Sequence, residues 1–258
     1  MCDATRSSPE RYDSKMANSP HGNARVAFFG GSFDPPHLGH LAVARAAREA
    51  LALDTVLFAP VGAQPLKQQR GQDGASASFD DRVAMTQLAI AGEPGFAISL
   101  ADAPKDSGEP NYTIETLETL RAELPPESVL FCLIGADSFF SLRRWRRAAE
   151  IPFAASLIVA SRPGLKLDDL EPALPGGLTV QPFAAGGTPM RVDHFRSYVL
   201  HDSLGRRAPF YVLPAVHVEI SASEIREQVR AASGRSGAEQ RVVPRAVFDF
   251  IRSKGLYR

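Results

Sequence analysis

Residues 30–40 read Gly30-Gly31-Ser32-Phe33-Asp34-Pro35-Pro36-His37-Leu38-Gly39-His40. Ahead of them lies Arg25-Val26-Ala27-Phe28-Phe29, apolar and without helical spacing; behind them Leu41 to Leu51 is alanine-rich, with charges spaced as on a helix. The order is strand, glycine turn, proline-stiffened entry, helix. A helix N-terminus directly after a strand offers unpaired N–H groups and a positive dipole end, which suits phosphate. Gly30 and Gly31 let backbone approach a ligand closely. His37 and His40, three residues apart, face one side of the first turn. On these residues alone the pair can donate to phosphate oxygens or simply make structural bonds. The string is neither G-x-G-x-x-G nor the Walker-type loop, and two histidines with no third ligand make a poor zinc site.

Working outward, apolar runs alternate with helical stretches. Thr55–Ala59, Phe96–Leu100, Ser128–Ile134, Ala155–Ala160 and Tyr211–Ile220 read as strands. Ser128–Ile134 is continuous in apolar residues, as a central parallel strand is. Ser78-Phe79-Asp80-Asp81 reads as the capped start of a helix running to Ala91. Tyr112–Leu124 places Ile114, Leu117, Leu120 and Leu124 on one helical face. Ser221 or Ser223 caps a further helix, and Pro244 is expected as the first residue of the last one. This alternation predicts an α/β fold: a doubly wound, mostly parallel sheet with helices on both faces and a small helical C-terminal part over 221–258. Residues 1–24, polar and aperiodic, are expected as a disordered tail before a single domain over 25–258. Residues 164–209 are rich in Gly and Pro and read as loops with one strand and a helix, an insertion open to a role as lid, contact between copies of the chain, or neither. Gly30–His40, Gly135–Ser138 and Ser161–Gly164 each follow a strand, so they converge on one crevice edge.

Lys+Arg and Asp+Glu balance at 29 each, so no global field recruits nucleic acid or an anionic membrane. No apolar run approaches the roughly 20 residues of a spanning helix, and the N-terminus has no signal-like apolar region. Of two cysteines, Cys132 lies in the apolar run Val129–Ile134 and reads as a core residue of a reducing compartment. A cytoplasmic protein is expected.

The Gly30–His40 string resembles the H-x-G-H signature of the nucleotidylyltransferase superfamily, in the form typical of bacterial nicotinate-nucleotide adenylyltransferases. Other stretches follow in family order. Pro60 with Gln64-Pro65-Leu66-Lys67 resembles the family's Pro-Pro-His-Lys loop, with Leu66 in place of His. Asn111-Tyr112-Thr113 resembles its Tyr-Thr helix start, Gly135-Ala136-Asp137 its Gly-Ala-Asp turn, and Trp145 its Trp-Arg segment. Ser161-Arg162-Pro163-Gly164 and Ser221-Ala222-Ser223-Glu224-Ile225-Arg226 complete the set, the latter in place of the usual Ser-Ser-Thr.

The resemblance implies a Rossmann-like fold that transfers AMP from ATP to nicotinate mononucleotide, with magnesium carried by ATP and no dedicated metal site. The mononucleotide phosphate attacks directly, so catalysis comes from positioning and charge stabilisation. By the same resemblance, His37, His40 and Arg226 act on the ATP phosphates, with Ser221 and Ser223. Gly30, Gly31, Ser32, Phe33, Gly135 and Asp137 contact the nucleotide. Lys67, Tyr112, Thr113, Trp145 and Arg162 contact the acceptor. Each has a plainer reading: Ser221 and Asp137 as helix caps, Arg162 as a loop closer, Trp145 among four arginines as a surface aromatic. Other readings carried forward are a nicotinamide-mononucleotide enzyme, a nucleotide-binding regulator without catalysis, and a tRNA-synthetase-like module.

Overall fold

In a computed structural model, residues 23–64, 77–161, 170–183, 195–213, 221–231 and 242–257 are described. Among the described residues, eight strands form one sheet in the order β3-β2-β1-β4-β5-β8-β7-β6. These are β1 Arg25–Gly31, β2 Thr55–Pro60, β3 Phe96–Ile98, β4 Val129–Gly135, β5 Ser156–Ala160, β6 Leu178–Pro182, β7 Arg196–Asp202 and β8 Arg207–Leu213. The ladders from β3 through β8 are parallel; only β6–β7 and β7–β8 are antiparallel. The expected mostly parallel α/β architecture is the one observed.

Side chains alternate across the central strands, and both faces are covered. On β1, Val26 and Phe28 enter one core with Ile114, Leu117 and Leu120 of helix α3 (Thr113–Glu123). Ala27 and Phe29 enter the other, with Leu41, Ala44 and Ala47 of helix α1 (Leu38–Ala50). On β4, Leu130, Cys132 and Ile134 join the first core, Phe131 and Leu133 the second. Burial on both faces is why this strand reads as an unbroken apolar run. Each buried Val, Leu, Ile or Phe here contributes about 1.5–3 kcal/mol of transfer free energy. Burial also pushes the Cys132 thiol up to about 12, so it remains a neutral core group.

A third core lies apart from the sheet. Helix α2 (Phe79–Ile90) buries Met85 and Ala89 against two later helices not consecutive with it. Those contribute Ile225 on one side and Val247, Phe248 and Ile251 on the other. Ser78 caps α2 as expected, its Oγ accepting from the Asp81 N–H at 3.1 Å. The first C-terminal helix spans Ala222–Ala231 and the second Arg245–Lys254, with Pro244 as N-cap rather than the first helical residue.

Within 164–209 the structure departs from the reading of loops with one strand and a helix. The described residues hold β6, β7, the start of β8 and a short 3-10 turn at Glu171–Ala173. The β7–β8 hairpin is set by Asp202, whose Oδ1 accepts from the N–H groups of Leu204 at 3.0 Å and Arg206 at 2.8 Å. Gly205 supplies the positive φ, +78°, that closes the turn. Thus β8 starts four residues before Tyr211, and 214–220 of the expected strand lie outside the described residues. The hairpin braces the sheet: Phe210 stacks on Phe139 at 5.7 Å between ring centroids.

Candidate active site

The cleft is opened by the strand register. The β1–β2 ladder runs to Gly31–Pro60 and the β4–β5 ladder to Gly135–Ala160, both to the strand ends. The β1–β4 ladder stops at Phe28–Cys132, three residues short of Gly31 and of Gly135. The two strands therefore part at their carboxyl ends, where the strand order reverses, the usual ligand position in such sheets. Gly30, Gly31 and Gly135 stand at this fork. A Cβ on Gly30 would meet the Phe28 ring at 2.7 Å, so packing alone requires glycine there. A Cβ on Gly135 would meet nothing within 4 Å, so its bare backbone faces open space.

On the β1 side the turn is rigid. Phe33, at φ +46°, buries its ring against Phe29 and His40, so only its backbone can face a nucleotide. His37 is the N-cap of α1 and is 8% exposed; its ring lies 3.7 Å from that of His40, centroid to centroid. The His37 N–H donates to His40 Nδ1 at 3.1 Å, which leaves the His40 proton on Nε2. Burial pulls the His37 imidazole down to about 4, and burial together with the nearby His37 holds His40 well below its ordinary value. Both are neutral near pH 7, so each offers one ring N–H rather than a positive charge. A depressed pKa stabilises the fold above about pH 6.5 and loses that contribution as the pH falls towards 4.

The helix amides are less available than the sequence implies. The Leu38 N–H donates to the Val242 carbonyl at 2.9 Å and the His40 N–H to the His37 carbonyl at 2.9 Å. Phosphate contact at this turn thus falls to side chains and to the glycine backbone. Arg226, in the first C-terminal helix, reaches the same turn. Its Nη1 donates to the Asp34 carbonyl at 2.7 Å and its Nη2 to Ser223 Oγ at 3.1 Å. Ser221 takes its plainer role as helix cap, its Oγ accepting from Glu224 N–H at 3.2 Å while Glu224 accepts from Ser221 N–H at 2.9 Å. Ser32 Oγ bonds Gln64 Oε1 at 3.2 Å, which holds the start of the lysine loop against the turn.

Across the fork, Asp137 lies exposed in the first turn of the short helix Ala136–Ser141. Helix α3 begins at Thr113 with Tyr112 as an N-cap whose side chain makes no capping bond, leaving the first N–H groups for another acceptor. Tyr112 and Trp145 pack on the same core, and Trp145 Nε1 donates to Ser141 Oγ at 3.2 Å. Arg146 lies 4.6 Å over the Tyr112 ring, within reach of Glu115 at 3.5 Å. Lys67 and Arg162 lie outside the described residues.

Several residues have positioning roles that a reading of motifs does not assign, although Asp34 and Asn111 stand within the motif stretches. Asn111 accepts from Ala63 N–H at 3.0 Å and donates to the Ala103 carbonyl at 2.8 Å, tying two loops to the α3 start. Arg82 is buried and donates to the Ser32 carbonyl at 2.8 Å. Asp34 is buried beneath the histidine turn. Asp102, also buried, accepts from Thr116 Oγ1 at 2.8 Å. Their contacts join segments far apart in sequence, so no local pattern marks their positioning roles.

Burial pushes Asp102 from 3.8 up to about 6, against the smaller opposing effect of the Thr116 bond. A raised pKa favours the fold at low pH, so this contribution is lost as the pH rises from about 4 through 6. Asp102→Asn keeps the acceptor oxygen without the charge. Urea unfolding of both proteins from pH 4 to 7 is expected to show the wild type losing about 2 kcal/mol relative to the variant. The histidine contribution is common to both and cancels in the difference. A pH-independent difference would remove the buried carboxylate from this account.

Among the described residues no three His, Cys, Asp or Glu side chains gather as a metal cage. No helix among them is long and apolar enough to cross a membrane. A concavity of about 280 Å³ lined by Arg45, Arg48, Glu49, Glu93, Pro94 and Phe96 sits at the far end of α1, away from the fork. Its two arginines and two glutamates cancel, and it holds none of the motif residues.

Residues 28–228 match the family model described as cytidylyltransferase-like. A "probable nicotinate-nucleotide adenylyltransferase" of Gloeobacter violaceus is 36% identical over 90% of this chain and 96% of its own length. A relative of the same name from Stenotrophomonas maltophilia is 37% identical, with the same coverage. The chain belongs to the nicotinate-nucleotide adenylyltransferase group of the cytidylyltransferase-like family. The family match spans both sides of the fork, from β1 to the Arg226 helix. The fold is shared with Plasmodium falciparum nicotinic acid mononucleotide adenylyltransferase, a structure complexed with NaAD, at TM-score 0.63 and 16% identity. That superposition covers 91% of this chain and 98% of the other.

Proposed function

We propose that this chain transfers AMP from ATP to nicotinate mononucleotide, forming nicotinate adenine dinucleotide and pyrophosphate. The observation that carries this reading is the fork between β1 and β4, flanked by His37, His40 and Arg226 on one side and by the uncapped α3 start with Trp145 on the other. A phosphate oxygen of the mononucleotide bonds to the α-phosphorus; the bond from that phosphorus to the bridging oxygen breaks, and pyrophosphate leaves with the electron pair.

No enzyme nucleophile is needed, which fits a phosphate side whose polar groups are donors. In this reading the His40 Nε2–H, the His37 ring and the Arg226 guanidinium stabilise charge on the phosphates as it redistributes. Arg226 supplies a planar, multi-donor contact, and Ser223 orients it; Ser221 starts the helix that carries both. Gly30, Gly31, Ser32, Phe33 and Gly135 present backbone to the nucleotide, and Asp137 accepts from ribose hydroxyls. On the acceptor side the Tyr112–Thr113 amides meet the pyridine carboxylate, Trp145 stacks on the ring, and Lys67 and Arg162 serve the mononucleotide phosphate. The ATP phosphates would bring magnesium with them, which would neutralise part of their charge. The free, buried Cys132 is in keeping with a reducing, cytoplasmic setting.

The test is pyrophosphate release from ATP with each pyridine mononucleotide. Turnover with nicotinate mononucleotide, well above a His40→Ala control and above nicotinamide mononucleotide, is expected. Equal use of the two would assign a broader enzyme, and binding of ATP without turnover a regulator.

A further inference from the structure

We propose that Tyr257 is a positioning residue for the ATP-phosphate half of the site, acting through Asp34 on the histidine turn and on Arg226. The inference rests on the proposed role of those groups as phosphate contacts. Asp34 bonds in three directions. Its Oδ1 accepts from the Tyr257 hydroxyl at 2.7 Å and from the Ala77 N–H at 3.2 Å. Its main-chain carbonyl accepts from Arg226 Nη1 at 2.7 Å, and that same nitrogen lies 3.8 Å from Oδ2. Asp34 is 3% exposed and Tyr257 7%, so water does not stand in for either partner. The carboxylate is three residues before His37, in the turn whose next carbonyl upstream but one, that of Ser32, is held by Arg82.

The local sequence builds this contact deliberately. The second C-terminal helix ends at Gly255, whose left-handed conformation reverses the chain; the Leu256 N–H bonds back to the Ile251 carbonyl at 3.0 Å. The reversal returns Tyr257 beneath α2, with its hydroxyl 3.9 Å from Met85 Sδ as well as on Asp34. Burial and the neighbouring Asp34 charge hold the phenol protonated, so the hydroxyl remains a donor. A buried tyrosine hydroxyl requires a partner, and the partner found lies in the turn rather than within the third core. Here the hydroxyl spans 223 residues of sequence to the motif that carries both histidines.

The deciding experiment is calorimetric titration of magnesium-ATP alone, beside steady-state kinetics, on wild type, Tyr257→Phe, Arg226→Lys and their double variant. Tyr257→Phe is expected to weaken ATP binding about tenfold while leaving KM for nicotinate mononucleotide unchanged. Its combination with Arg226→Lys is expected to lose less than the product of the single losses, because both act through Asp34. Tyr198→Phe, which alters another buried tyrosine, in β7, is expected to leave both substrates unaffected. Should Tyr257→Phe fold poorly, the same change is made beside Asp34→Asn and compared with Asp34→Asn alone, where no charge is left without its donor. Equal weakening of both substrates, independent effects of Tyr257 and Arg226, or unchanged ATP affinity would each overturn the proposal. ATP binding needs no acceptor, so absence of turnover with nicotinate mononucleotide would strike the proposed reaction and leave this comparison intact.

Discussion

Replacing His40 with alanine is expected to lower kcat about 10²–10³-fold, the usual cost of removing one preorganised donor from a site of developing charge. Two effects are combined in that variant. The Nε2–H is lost from the cleft, and the His37 N–H loses the Nδ1 that caps it at 3.1 Å. His40→Asn separates them, since its shorter amide supplies an acceptor near Nδ1 without reaching the phosphates. Asparagine is expected to restore most of the thermal stability, about 1 kcal/mol for a cap, while kcat stays low in single-turnover kinetics. Full activity in the asparagine variant would reduce His40 to a structural cap. With His37 lowered to about 4 and His40 also depressed in the ligand-free protein, kcat/KM is expected to show no histidine limb between pH 6 and 8.

Asp34→Ala is expected to destabilise the protein by about 3–5 kcal/mol, the range for stripping one partner from a buried charged cluster. The change strands the Tyr257 hydroxyl and the Ala77 N–H, and it removes the charge that acts on buried Arg82. Asp34→Asn keeps the shape and an acceptor, and is expected to cost less than half as much. Denaturant unfolding of the two variants measures the difference. A loss below about 1 kcal/mol in Asp34→Ala would mean that the carboxylate is not central to this cluster.

Much of the scaffold is written in local pattern. Ile114, Leu117 and Leu120 face the core because a 3.6-residue period puts them on one stripe, and all three are buried. Val129–Ile134 reads as a central strand because two covered faces demand apolar residues at every position. The caps at Ser78 and Ser221 are legible because the partner carboxylate sits three residues on. The β7–β8 hairpin carried a comparable signal, Asp202 followed by Gly205, but the glycines and prolines around it read as loop.

Outside residues 164–209, local pattern thus determined the main element types and, through their alternation, the mostly parallel part of the sheet, because each element depends on neighbours within a turn or a strand. Which groups the motifs spend on one another was decided only by the tertiary structure. The first amide of α1 goes to Val242, the Asp34 carbonyl to Arg226 and its carboxylate to Tyr257, the last two pairings 192 and 223 residues apart. Such contacts leave no periodicity in the chain. They follow from how the two C-terminal helices close a small core on α2 and, in doing so, press a tyrosine and an arginine against a buried carboxylate that must find donors.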